Sequence, residues 1–174
     1  MAKQRPTWFV PRDVDAMRYA FFLSHVAEDS GEVQQLASAI HALSGRGART
    51  PLACFLDVNN WPIGNENTSV IKEFLLKSAY CVIWVTPAYL QSVRGWVWVE
   101  LAYAELIELS LNAALLERRH PYIVPVFRNV TVNQLERTPL LGYWQRQLVV
   151  PNKDYPLNDI ARKLVEFHEQ EGLR

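Results

Sequence analysis

Cysteine is nearly missing from this sequence: Cys54 and Cys81 are the only two in 174 residues. Both lie in apolar, strand-like runs, which suits reduced core thiols and argues against a disulfide framework or a thiolate metal site. Net charge is missing as well. The 18 Lys and Arg balance the 18 Asp and Glu, so the broad attraction that draws a protein to nucleic acid or an anionic membrane is absent. Nor is there a long hydrophobic run. The longest uncharged stretch, residues 78–93, contains Pro87, Gln91 and several hydroxyls, and it is too short to cross a bilayer as a helix. The first 18 residues carry charge and lack the continuous apolar core of a secretion signal. His25, His41, His120 and His168 show no metal-ligand spacing. These absences predict a cytoplasmic chain with no direct nucleic-acid or membrane partner, no metal and no cofactor.

What is present is a core. Hydrophobic residues make up 49% of a chain of single-domain length, enough to fill one folded unit. Residues 1–18 read as an arm, packed through Trp8 and Phe9, and residues 19–174 as the domain. Short apolar runs predict strands at Tyr19–Ser24, Leu52–Asp57, Tyr80–Val85, Tyr122–Phe127 and Gln147–Val150. Between them, apolar positions at helical spacing predict helices over Glu32–Leu43, from a cap at Thr68 or Ser69 to about Ser78, over Gly95–Glu117, and over Leu157–Glu169. Strands alternating with helices imply a parallel sheet covered on both faces. The expected architecture is α/β, a flavodoxin-like three-layer sandwich with a central, mainly parallel five-stranded sheet. Ligands in such folds sit outside the carboxyl ends of the strands, at the topological switch point. The segments to inspect are therefore Ser24–Ser30, Asp57–Thr68 and Thr86–Gly95.

"FLSHVAED", Phe22–Asp29, sets a hydroxyl, an imidazole and two carboxylates just past the first strand. Glu28 and Asp29 read as acids at a helix start, where the dipole favours them. Ser24 and His25 fall where the fold presents ligands, but without an orienting third group they are no hydrolase dyad. The loop "DVNNWPIGNEN" displays Trp61 beside Pro62 and Gly64, an aromatic suited either to a ligand or partner or to packing on the domain. Asp57 at a strand end resembles the phosphoacceptor of a receiver domain, yet Ser24 and His25 stand where such a domain needs an acidic pair for Mg²⁺. In "RGWVWVELAYAEL", Arg94–Leu106, one carboxylate, Glu100, stands in an apolar helix one turn after Trp96, and Tyr103 continues that face. Periodicity alone favours a Glu100 that reaches solvent or pairs with an arginine such as Arg94 over one that bounds a ligand.

Taken together, "YAFFLSHVAED", "CFLD" with its Pro- and Gly-containing loop, "YCVIWVTPAYLQS" and "WVWVEL" resemble a Toll/interleukin-1 receptor (TIR) domain from about Tyr19 to Phe167. Two departures stand out: the loop reads Pro62-Ile63-Gly64 rather than Pro-Gly, and Val97 stands where Cys is common. Many members, in the bacterial-type branch particularly, cleave NAD⁺ at the nicotinamide-ribose bond with the Glu of W-x-x-x-E. The resemblance thus implies that Glu100 is catalytic, that Trp96, Ser24, His25, Asp57, Trp61 and Tyr103 surround the substrate, and that NAD⁺ enters as substrate. It also implies self-association through TIR domains, a role in immunity, antiphage defence or cell-death signalling, and a sensor or effector partner elsewhere. Other members are non-catalytic interaction modules, many of which lack the Glu; its presence here favours the enzyme. Nicotinamide is already cationic in NAD⁺, so it leaves without a general acid, and one carboxylate facing the ribosyl cation suffices. That carboxylate must stay ionised, which requires a partly polar pocket; Ser24 and His25 would supply the polarity.

Overall fold

The computed structural model describes residues 18–45, 52–56, 67–92, 95–114, 121–146 and 155–172. Their sheet has four parallel strands, β1 Tyr19–Ser24, β2 Cys54–Leu56, β3 Ser78–Val85 and β4 Ile123–Phe127, in the order β2-β1-β3-β4. The helices are α1 Ser30–Ser44, α2 Asn67–Leu76, α3 Pro87–Gln91, α4 Trp96–Ala114, α5 Val132–Leu135 and α6 Leu157–Gly172. The expected α/β three-layer fold is present. The fifth strand expected at Gln147–Val150 and the arm, apart from Arg18, lie outside the described residues.

Successive strand residues point to opposite faces, and the core divides accordingly. Phe22, Cys81, Ile83 and Val85 pack on one face against Ile71 and Leu75 of α2 and Val97, Leu101, Ala104 and Ile107 of α4. Phe21, Leu23, Val82 and Trp84 pack on the other against Val33, Leu36 and Ile40 of α1 and Ile160 and Leu164 of α6. The strands are apolar along both sides because both sides are covered. Pro125 is tolerated in β4 because the ladder to β3 runs through the neighbouring register: Cys81 N–H donates to Tyr122 O and Arg128 N–H to Val85 O. The side of β4 on which Pro125 lacks a donor faces away from β3, and there the N–H of Ile123 turns instead to Glu108.

Cys54 and Cys81 are both free thiols. They sit on β2 and β3 with β1 between, about 9–10 Å of sheet apart, too far for a bridge. Burial pushes the Cys54 thiol up to about 12 and Cys81 well above the ordinary range; Cys81 is fully buried, whereas Cys54 is only partly covered.

The chain adds β2 on one side of β1 and then crosses to add β3 on the other. The switch point therefore lies between the carboxyl ends of β1 and β3, at Ser24 and Val85.

Candidate functional site

Two loops leave that switch point. After β1 come His25 and Val26, then a single 3-10 turn, Ala27–Asp29, that leads into α1. After β3 comes Thr86, whose side chain caps α3 by accepting the N–H of Tyr89 at 3.2 Å, with Pro87 in the first helical turn. The same Thr86 hydroxyl donates to Asp29 Oδ2 at 2.6 Å. One side chain thus ties the two loops together. Asp29 occupies the N-cap position of α1 but makes no side-chain cap there; the acidic helix start expected from sequence is in addition a brace between loops.

The chain then turns into α4. Ser92 O accepts the N–H of Gly95 at 3.2 Å and the indole N–H of Trp98 at 2.6 Å. A Cβ on Gly95 would fall 2.1 Å from the Ser92 side-chain Oγ, so any larger residue here requires the Ser92 hydroxyl to turn aside. Trp96 opens α4 at once, and Glu100 follows one turn later.

Between these segments lies a cavity of about 600 Å³. His25, Val26 and Glu28 line it from the β1 loop, Ala88, Gln91 and Ser92 from α3 and its end, and Gly95, Trp96, Val97 and Glu100 from the start of α4. Glu100 is 1% exposed and Trp96 47%. The carboxylate therefore forms part of the floor and the indole part of the rim. Among the described lining residues the charged groups are Glu100 and Glu28, with no Lys or Arg. The wall is suited to a group that carries or develops positive charge.

His25 is nearly buried, and its Nδ1 lies 2.9 Å from Leu23 O, which assigns the proton to Nδ1. Nε2 is then the acceptor, 3.3 Å from the Ser30 hydroxyl. Burial holds this imidazole below its ordinary pKa, partly offset by the Leu23 hydrogen bond and the Asp29 charge. Burial raises Asp29, against the Thr86 hydrogen bond that lowers it. Beneath the cavity, Tyr89 is fully buried and donates to Val97 O at 3.3 Å. Burial first, and then the charge of Glu100, push its phenol far up, so it remains a neutral donor.

The residues singled out from sequence separate into three groups. Glu100, Trp96 and His25 come together around the cavity. Ser24 and Tyr103 do not line it. Ser24 is 1% exposed and lies under the cavity, its hydroxyl facing that of Tyr89 without reaching hydrogen-bond geometry. Tyr103 shares a helix face with Trp96 but stands about 4.5 Å further along α4 than Glu100, below the cavity, where it packs on the core. Asp57 and Trp61 lie outside the described residues, as does Arg94. Sequence reasoning missed Glu28, Gln91 and the Asp29–Thr86 brace as individual residues, although the segments Ser24–Ser30 and Thr86–Gly95 contain all of them. No group of three His, Cys, Asp or Glu among the described residues could hold a metal ion. No helix among them is long and apolar enough to cross a membrane.

Comparison with known proteins gives one family match: the model described as TIR domain covers residues 21–162. No curated protein matches the chain. Among solved structures, a metazoan TIR-STING receptor from C. gigas superposes with a TM-score of 0.56 at 20% identity, over 89% of this chain and 43% of that one. The present chain thus spans less than half the length of that receptor, and the likeness is one of fold. The TIR domains of the activated Roq1 resistosome, which directly recognizes the pathogen effector XopQ, give a TM-score of 0.45 at 19% identity, over 87% of this chain and 84% of that one.

Proposed function

The chain belongs to the TIR domain family, and from that premise we propose that it cleaves NAD⁺ at the nicotinamide-ribose bond, with Glu100 as the catalytic carboxylate. The observation that carries this reading is the position of Glu100. It is 99% removed from solvent overall and still lines a cavity at the switch point, one turn below an exposed indole. A core glutamate facing a 600 Å³ space is an expensive arrangement for a fold to keep unless the charge has a task.

The chemistry follows from the charges. In NAD⁺ the nicotinamide nitrogen is cationic; when the glycosidic bond breaks, the bond pair returns to that nitrogen and neutral nicotinamide leaves. No general acid is needed. Positive charge passes to the ribose, and Glu100 stabilises it there in a site where little water competes. Neutral His25 adds no opposing charge, and its Nε2 can accept from a ribose hydroxyl in place of the Ser30 hydroxyl. Trp96 at the rim offers a face for an aromatic ring of the substrate. Water attacking the ribosyl cation and losing a proton gives ADP-ribose; attack by the adenine of the same molecule gives a cyclic product. No cofactor takes part.

The same reading includes activation by self-association and a role in immune or cell-death signalling in the cytoplasm. A non-catalytic TIR scaffold would need no carboxylate in the cavity wall. Incubation of concentrated protein with NAD⁺, followed by mass analysis, tests the reading: free nicotinamide with ADP-ribose or its cyclic form is the expected result. Intact NAD⁺ at every protein concentration would favour the scaffold.

A further inference from the structure

Strand β2 is the outermost strand of the described sheet. On its inner side Ala53 O accepts the N–H of Ala20 at 2.8 Å, and Phe21 and Phe22 stand level with Cys54 and Phe55. Backbone groups alternate sides along a strand, so those of Ala53 and Phe55 serve β1 while those of Cys54 and Leu56 turn outward. Such an edge is a template for one more strand. Beside it runs a trough of about 580 Å³ between β2 and α1. Ala37, Ser38 and His41 line it from the helix, Leu52, Cys54 and Leu56 from the strand and its approach, and its described lining holds no charged residue. Ser44 Oγ accepts the N–H of Leu52 at 2.9 Å, which ties the end of α1 to that approach and fixes the width of the trough. A groove between a helix and an open strand edge takes an extended chain: its backbone continues the sheet and alternate side chains enter the groove.

We propose that the occupant is this chain's own arm, residues 6–11, lying antiparallel to β2. Direction and reach argue for it. The N–H groups of Arg18 and Tyr19 both donate to Lys77 O at the start of β1, so the arm arrives at the amino end of the sheet. A segment that returns along the sheet toward that point runs opposite to β2, which is parallel to β1. The lane outside β2 lies about 10 Å from β1, and residues 11–17 span up to about 23 Å when extended. Composition agrees. "PTWFVP", Pro6–Pro11, gathers Trp8, Phe9 and Val10 between the charged neighbours Lys3, Arg5, Arg12 and Asp13, so this is the part of the arm that gains from the cover of an uncharged trough. Pro6 and Pro11 lack N–H groups and confine the pairing to Thr7–Val10, a length suited to the three residues of β2. Alternation then places Trp8 and Val10 in the trough and Phe9 on the opposite face. Docked there, the arm closes the edge against pairing with other chains.

Cys54 reports the docking, because it lines the trough while Cys81 is fully buried. In the whole chain at mildly alkaline pH, alkylation of Cys54, read by peptide mass, should run about tenfold faster or more in the Trp8→Ser/Val10→Ser double variant than in wild type. Circular dichroism of the variant checks that it is folded. Under mild oxidation one of Trp8→Cys and Val10→Cys, whichever stands level with Cys54, should close a disulfide with it inside a single chain, and Phe9→Cys should not. Equal alkylation rates, preferential linking by Phe9→Cys, or disulfides formed between two chains, which would assign the trough to a neighbour's arm, would each overturn the proposal. Both readouts are taken without NAD⁺, so the docking stands or falls independently of the proposed cleavage.

Discussion

Trp96 and His25 show how much one residue's surroundings decide. Trp96 lines the cavity at 47% exposure, so Trp96→Ala removes little packing and should change stability by no more than about 0.5 kcal/mol. Loss of its stacking face should raise KM for NAD⁺ roughly tenfold; steady-state kinetics beside a urea titration would separate the two effects, and a matching loss of stability would contradict the assignment. His25 and His168 are both held below the ordinary value of 6.5 by burial. Below that value the unfolded chain binds protons that the folded chain refuses, so stability is full above about pH 6.5 and falls as pH drops through the window beneath it. Asp29, raised above 3.8, acts in the opposite sense but in a more acidic window. The urea midpoint should therefore be lower at pH 5.5 than at pH 7.5; an unchanged or higher midpoint would contradict the burial of these imidazoles. Glu100 beside Trp96 was legible in the sequence because a four-residue step fixes a shared helix face. Depth along the helix was not, and for that reason Tyr103, on the same face, falls below the cavity. The Asp29–Thr86 hydrogen bond joins residues 57 apart in the chain, and no local pattern announces such a pair.

Among the elements, α4 does the most to hold the site in place. Glu108 on this helix accepts the backbone N–H groups of Tyr122 and Ile123 at 3.0 and 2.9 Å and binds Arg146. It thereby fastens the middle of α4 to the start of β4 and to the 3-10 segment Pro139–Arg146. Glu108→Ala leaves those donors without their acceptor and should cost about 2 kcal/mol, a fall of roughly 4–8 °C in Tm for a chain of this size, with Glu108→Gln intermediate. A thermal melt within 1 °C or so of wild type would show that the fastening contributes nothing. The strands were read from sequence nearly to their ends, because runs such as residues 80–85 are apolar on both sides and too short for helices. Helix starts were less legible: α2 begins at Asn67, ahead of the caps expected at Thr68 or Ser69, since several consecutive polar residues can each begin a helix. The capping box at Thr131 and Gln134 was passed over because it opens a helix of a single turn, too short to show periodicity.

For the whole molecule, topology and chemistry converge on one place. A parallel sheet with the order β2-β1-β3-β4 must open its crevice between β1 and β3, and the cavity lies there, floored by Glu100. Alternation of strands and helices made that location legible before any coordinate. Which side chains reach it depends on how far α4 extends past the sheet, and sequence does not encode that distance locally. If the Glu100 carboxylate is what stabilises a ribosyl cation, its charge sets turnover, and the decisive comparison is nicotinamide release at saturating NAD⁺ by Glu100→Gln and by wild type at equal association state. The substitution keeps the size of the side chain and removes its charge. Turnover should fall by about a hundredfold or more with NAD⁺ still bound. Undiminished nicotinamide release by the glutamine variant would contradict it.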